Sequence, residues 1–526
     1  MPKRSTANSA TIPPPVNGWN TRDPISGMDP LYAVEANNFV GKNGGVEVRQ
    51  GSRYYSKGMT DLVAAAAPIS SLSSLPTSNS QELLLALCGS LPLPGQIVWS
   101  LPYNASTANV NATSIYAPGD FTFSHIRPIV FKNTLVYGGY DSATMSTVIK
   151  TWSGGPAEAD TAVPDQNIYT LCSYKKRLYF ATKNPSANVN LLYYGDVDSL
   201  GVIPAANVYS VESLISSGAK IVSIGTITRS GAYTEDLLYV ATFSGEILIF
   251  SGEYPASPTW SIVGKFKIPP VCGPNCFIAY GSDVLIFTTR GLVSLSSVMT
   301  SGQEISYLSE SIASEFSSFQ ALLSVPYGMV FSSPAPIYFC GVWWPQEGLI
   351  ILSYPTSTDE VPTTEQLVYH TTTNSWWKWT GLSIYSLAVA NGDLYFGSSS
   401  GRVFKMTGDF DEDPANEGAV LTRTIKLRPA YNYFGDRSAS KQFVEARPIL
   451  KQSEGLTLTM DADVDYQDTT ATNTVTDLTN TAYKLYAPRV GLQGIGRCAS
   501  IRIDGTVTTK RFRLEATEVI WNDGDI

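Results

Sequence analysis

The chain has 526 residues, 43% hydrophobic and 11% aromatic but only 15% charged, against ~25% charged in ordinary globular domains. That length allows two or three folding units, and the composition suits β structure, where β-branched and aromatic residues fit a pleated, half-buried surface better than Lys or Glu. A net charge of −9 disfavours tight binding to phosphate backbones, and no apolar run reaches the roughly 18 residues of a membrane-spanning helix.

Residues 1–60 read as an N-terminal arm. Lys3 and Arg4 are followed by no apolar stretch, so Met1 to Pro15 is not a secretory signal, and a soluble product of the cytoplasm is expected. A turn-rich segment, Gly18-Trp19-Asn20-Thr21-Arg22-Asp23-Pro24, comes next. Residues 61–408 repeat one theme, a short apolar-aromatic strand, a Gly or Ser turn and a second such strand, as in Leu237-Leu238-Tyr239-Val240 before Gly245 and Ile247-Leu248-Ile249-Phe250 after it. Leucine anchors at 135, 178, 238, 285, 349 and 394 recur 43 to 64 residues apart, close to propeller blade lengths of about 40–50. The segment Val368 to Trp379 resembles a kelch-type hairpin, and Glu304 to Leu322 is the best helix candidate. Residues 409–419, rich in carboxylates around Pro414, read as an exposed acidic linker. From 420 to 526 the strands alternate apolar and polar residues, as in Leu456 to Tyr466, which predicts a C-terminal antiparallel β-sandwich. The expected fold is therefore all-β: a six- to seven-bladed β-propeller with an N-terminal arm and a C-terminal sandwich.

The residue types that carry catalysis are scarce. His125 and His370 are the only histidines, which removes most Ser-His, Cys-His and histidine-metal arrangements. The cysteines at 88, 172, 272, 276, 340 and 498 are too scattered for a disulfide scaffold and are expected as free thiols, and the sequons at Asn104 and Asn111 are expected to be unused. Cys272-Gly273-Pro274-Asn275-Cys276 lacks two further zinc ligands and reads as a turn. Asp461, Asp463, Asp465 and Asp468 have the spirit of a calcium loop, but Tyr466 stands where its glycine and Thr472 where its glutamate should be. An acidic outer strand face explains them instead. Gly491, Gly494 and Gly496 precede a strand rather than a helix, so they read as turns or a bulge and not as a phosphate cradle. Trp343, Trp344, Trp376, Trp377 and Trp379 read as packing anchors in preference to sugar platforms. The candidate inner strands, such as Leu178 to Thr182, Leu237 to Phe243 and Leu394 to Ser398, carry no carboxylates for glycoside cleavage. No catalytic residue, cofactor or metal is expected.

Gly18 to Pro24, followed by Met28-Asp29-Pro30, Ala33, Asn37-Asn38 and Val46 to Gly51, resembles the opening of the tail nozzle (packaged-DNA-stabilising) proteins of short-tailed bacteriophages. The run Asp436 to Pro448, with Lys441, Phe443 and Arg447-Pro448, is similar to that family's approach to its C-terminal domain. The resemblance implies a structural virion protein assembled in the host bacterial cytoplasm, in a ring usually of six copies below the portal and adaptor. It implies contacts with other tail proteins such as fibres, a DNA channel that makes only transient, non-specific contact, and a platform built from both ends of the chain. Trp19, Asn20, Arg22, Asp23, Arg49 and Gly51 would then be adaptor-facing platform residues. Because an acidic wall repels phosphate, Asp461, Asp463 and Asp465 are expected to face the channel. The alternative is a carbohydrate-binding or carbohydrate-degrading propeller acting in host receptor recognition.

Overall fold

Runs of consecutive apolar residues form strands covered on both faces. Leu237, Leu238, Val240 and Ala241 are wholly buried, and so is every residue of strand Leu349–Pro355. Blades of a propeller, each flanked by two others, impose that pattern, whereas a one-sided sheet would impose alternation. The computed structural model describes residues 7–57, 68–76, 82–88, 97–101, 110–111, 113–114, 121–122, 127–141, 146–154, 159–161, 168–184, 189–229, 234–301, 304–323, 339–359, 362–413, 418–452, 456–468, 473–475, 484–508 and 511–523. Asn104 and His125 lie outside them. Strands make up 56% and helices 8%, so the fold is all-β.

Five sheets are self-contained blades of a propeller. Their meanders run outward from Ile69–Pro76, Ile129–Phe131, Ile168–Tyr174, Ile221–Arg229 and Ser386–Ala390, and the second sheet also holds Phe121–Thr122 beside Thr134–Asp141. Two further meanders stand between the fourth and fifth blades: a three-stranded one, Phe277–Tyr280 to Gly291–Ser294, and a four-stranded one, Cys340–Trp344 to Ser375–Trp379. The count of self-contained blades is thus five rather than the expected six or seven, because the first of these meanders lacks an outer strand and the second continues into a larger sheet. Contacts nevertheless pass round the hub from Phe277–Tyr280 to Cys340–Trp344, on to Ser386–Ala390 and back to Ile69–Pro76. Separate apolar clusters fill the spaces between blades. Phe131, Val136, Leu178 and Phe180 form one, Cys172, Tyr179, Leu238 and Leu248 another, and Ile69, Leu84, Tyr395 and Val403 a third.

The N-terminal segment is woven into the rest of the chain instead of standing apart as an arm. β1 (Asn8–Ile12), β4 (Phe39–Lys42) and β5 (Gly45–Val48) join strands Lys441–Gln452 and Arg513–Asp523 in an eight-stranded sheet. β2 (Gly18–Trp19) and β3 (Tyr32–Asn37) sit between Ser375–Trp379 of the propeller and Arg423–Pro429, giving one ten-stranded sheet that runs on through Ala499–Val507 and Leu456–Val464. β6 (Ser52–Tyr54) pairs with Val403–Met406 and closes the fifth blade. Phe443, Ala446, Leu458, Met460, Ile501 and Val519, drawn from both sheets, share one apolar cluster, so the C-terminal sandwich forms but contains N-terminal strands.

Two other expectations need correction. The acidic linker is a hairpin at its base, where Asp411–Glu412 pairs with Val420–Leu421 and Asp411 is only 3% exposed. Glu304 to Leu322 holds a 3₁₀ turn, Glu310–Ser318, and a single α turn, Phe319–Leu322, instead of one helix. The Val368 to Trp379 hairpin does form, with Tyr369 opposite Trp376 and Asn374 at φ +53° in its turn.

Candidate functional site

The residues that carry the family resemblance act within the chain. The Trp19 indole N–H donates to the Val34 carbonyl at 3.0 Å. The Asn20 side chain accepts from the backbone N–H groups of Arg22 and Asp23, at 2.9 and 3.0 Å, and donates to the Asp23 carboxylate at 2.8 Å, fixing the turn. Arg49 is fully buried and forks onto Asp411, with Nη1 3.0 Å from one carboxylate oxygen and Nη2 2.7 Å from the other. Its Nε donates to Asn38 Oδ1 at 2.9 Å. Arg423 completes the cluster, donating to the Arg49 carbonyl at 2.6 Å and standing 3.7 Å from Asp411. Burial alone would raise the Asp411 carboxyl, but the two guanidinium groups hold it below its usual value. Burial, then Arg49, pushes the Arg423 guanidinium down to about 10. Gly51 must be glycine, because a Cβ there would overlap the Phe410 backbone.

Trp19, Asn20, Arg49 and Gly51 are therefore buried, the first two fixing the N-terminal turn and the last two tying it to residues 410 and 411, and they present no adaptor-facing surface. Among the six platform candidates, Arg22 keeps an exposed side chain and Asp23 a half-buried one, and Arg22 also pairs with Glu310 at 3.1 Å.

The aspartates of Leu456–Val464 do not form a shared acidic face. Asp463 has no exposure and lies 3.5 Å from Arg428 and 4.0 Å from Arg502, so it cannot line an open channel. Arginines from the next strand and the one beyond it cover it, a feature invisible in the alternation of its own strand. Asp461 is half-buried and accepts from the Ala462 N–H at 2.9 Å. Asp465 is exposed beyond the strand end at φ +48° and accepts from the N–H groups of Arg497 and Cys498 at 2.8 and 3.2 Å.

Cys172, Cys272, Cys276, Cys340 and Cys498 are buried free thiols. Among the described residues no cluster of His, Cys, Asp and Glu has metal-holding geometry. The His370 imidazole accepts from the Thr373 N–H at 3.2 Å, and burial, then Lys42, lowers its affinity for a proton. Trp344, Trp376, Trp377 and Trp379 are buried anchors, whereas Trp343 is half-buried at the hub.

Glu246 is a functional-looking acid that has a structural task. Its carboxylate accepts from Ser216 N–H at 3.2 Å, from Ser217 N–H at 3.1 Å and from the Ser217 hydroxyl at 2.6 Å, with the Ser216 hydroxyl as a fourth donor. Burial opposes ionisation, but these donors win and hold its pKa at about 2, below the ordinary 4.5. Its stabilising contribution is complete above pH 4.5 and is lost as pH falls from 4.5 toward 2. Glu246→Ala is expected to cost about 2–3 kcal/mol at pH 7, the scale of hydrogen bonds to a buried charge, and to flatten stability over that acid window. Urea titrations at stepped pH read both effects.

Residues in and beside Ile69–Pro76, Ile129–Phe131, Phe277–Tyr280, Cys340–Trp344 and Ser386–Ala390 line a cavity of about 290 Å³ at the hub. Its lining includes Ser71, Ser73, Ser74, Arg127, Asn275 and Trp343 and, among the described residues, no carboxylate. Arg127 carried no signal in the sequence, whereas Trp343 was singled out there as one of a set of tryptophans and read as a packing anchor.

No family model matches the chain, and no curated protein matches it. Solved structures do. A luciferin-regenerating enzyme is 13% identical over 41% of this chain and 69% of its own, with a TM-score of 0.27. The computationally designed Ika8 protein is 9% identical over 66% of this chain and 99% of its own, with a TM-score of 0.34. The exo-β-1,3-galactanase of Phanerochaete chrysosporium is 11% identical over 90% of this chain and 100% of its own, with a TM-score of 0.30.

Proposed function

We propose that the chain is a structural subunit of the tail nozzle of a short-tailed bacteriophage, a ring that continues the DNA channel below the portal and adaptor and helps retain packaged DNA. The observation that carries the reading is the joining of the two chain ends into one β unit beside the propeller, as the family resemblance implies. Residues of the quoted motif take part in that joint: Val46 and Glu47 pair with Leu514 and Arg513, and Arg49 holds the segment to Asp411. A net charge of −9 suits a conduit past which DNA slides without sticking. In this assembly Arg22 and Asp23 are left to meet the adaptor, and Asp461 and Asp465, without Asp463, remain candidates for the channel face. A glycan-cleaving propeller is the weaker reading, because the described lining of the hub cavity offers no acid pair to protonate and attack a glycosidic bond.

Electron microscopy of the purified chain mixed with a phage portal–adaptor complex tests the proposal. Rings of six copies seated below the adaptor are the expected result. A chain that stays monomeric at micromolar concentration and does not sediment with the complex overturns it.

A further inference from the structure

The hub cavity has the composition of a binding site for a small anion that carries hydroxyl groups. Its volume, about 290 Å³, lies at the lower end of ligand pockets and suits one sugar-sized molecule. Donors dominate its polar lining. The Arg127 guanidinium donates to the Phe277 carbonyl through one nitrogen, and its fork has five N–H donors in all. The Trp343 indole N–H is buried and meets no acceptor among the described residues, while its ring stands edge-on to Tyr280 with centroids 4.9 Å apart. Asn275, from the Cys272 to Cys276 turn, adds an amide, and Ser71, Ser73 and Ser74 add hydroxyls. Val342, Leu387 and Val389 are among the apolar residues of the lining.

A cavity with one cation, several neutral donors, an indole and no described acid favours an acceptor-rich anion with an apolar face. We infer that the hub binds a single uronic-acid-type sugar, its carboxylate on Arg127 and its ring against Trp343. The site performs no cleavage, and it stands separately from the tail reading: a chain that never assembles into a ring would still bind the sugar.

Calorimetry or saturation-transfer NMR on the full chain, with D-glucuronate, D-glucose and inorganic phosphate as probes, tests the inference. Glucuronate is expected to bind about tenfold or more tighter than either other probe, the scale of one charge-assisted hydrogen bond. Arg127→Gln should bring glucuronate down to the level of glucose, and Trp343→Ala should weaken both sugars. Thermal melts confirm that each variant is folded, and Arg127→Lys, which keeps the charge, should retain part of the preference. Absence of glucuronate binding, phosphate binding as tightly as glucuronate, or a folded Arg127→Gln variant with unchanged affinity each overturns it.

Discussion

Asp411→Ala is expected to destabilise the chain by about 3–5 kcal/mol, the cost of stranding buried charge without its partner. The loss is larger than for a surface pair because two guanidinium groups, Arg49 at 0% and Arg423 at 2% side-chain exposure, would face each other with no anion between them. Arg49→Leu alone should be milder, since Arg423 and the Ser52 N–H, 2.9 Å away, still serve Asp411. Removing Arg49 and Asp411 together with apolar replacements should recover part of the single-variant loss. Because the folded Asp411 carboxyl lies below its ordinary 3.8, its contribution is complete above pH 3.8 and declines only as pH falls below it. Urea unfolding at pH 7 measures the size of the effect. A midpoint unchanged from that of the parent chain would remove the cluster from any account of stability.

The propeller expressed alone as residues 61–408 is expected not to fold cooperatively. Without β6, the edge of strand Val403–Met406 is bare, and Tyr54 no longer stacks on Phe404 at 4.7 Å. Without β2 to β5, Trp379 loses the Phe39 carbonyl that its indole N–H bonds at 3.0 Å, and Trp377 loses its cover at Gly41. Two indoles of about 200 Å² each, at ~25 cal/mol per Å², put up to roughly 10 kcal/mol at stake, comparable with the ~5–15 kcal/mol that holds a domain together. Near-ultraviolet circular dichroism and dye binding should report a loosely packed state, and adding a peptide of residues 1–57 should restore ordered aromatic signals. A sharp melt at the parent temperature from the isolated segment would show that the N-terminal strands are ornament.

The blade hairpins were legible because each is local. Glu246–Ser251 follows Glu235–Thr242 after a short glycine-bearing turn, and both strands are apolar enough to declare burial on two faces. The joints between chain ends were not. β6 is three residues long, and its partner lies some 350 positions away, so no periodicity marks the pairing. Asp411 sat in a run of acids that normally marks a solvated loop, while its partners are at 49 and 423. The alternation around Asp463 correctly separated two faces of a strand, yet the guanidinium groups that cover the polar face come from neighbouring strands. Arg127 and Trp343 come to line one cavity only when separate meanders converge on the hub.

The pairing of β1 with Arg513–Asp523 also governs the order in which the molecule can be completed. A ribosome delivers Asn8–Ile12 some 500 residues before its partner Arg513–Asp523, so the earlier strand waits through all that synthesis for its neighbour. Most blades can mature on the nascent chain, but the fifth must capture Ser52–Tyr54, made more than 300 residues earlier, and the sheet that holds β1 can seal only once Arg513–Asp523 has left the ribosome. Closing so long a loop is slow, and unpaired edges persist meanwhile. Yield in a host should therefore depend on translation speed and chaperone supply more steeply than the stability of the finished protein would suggest.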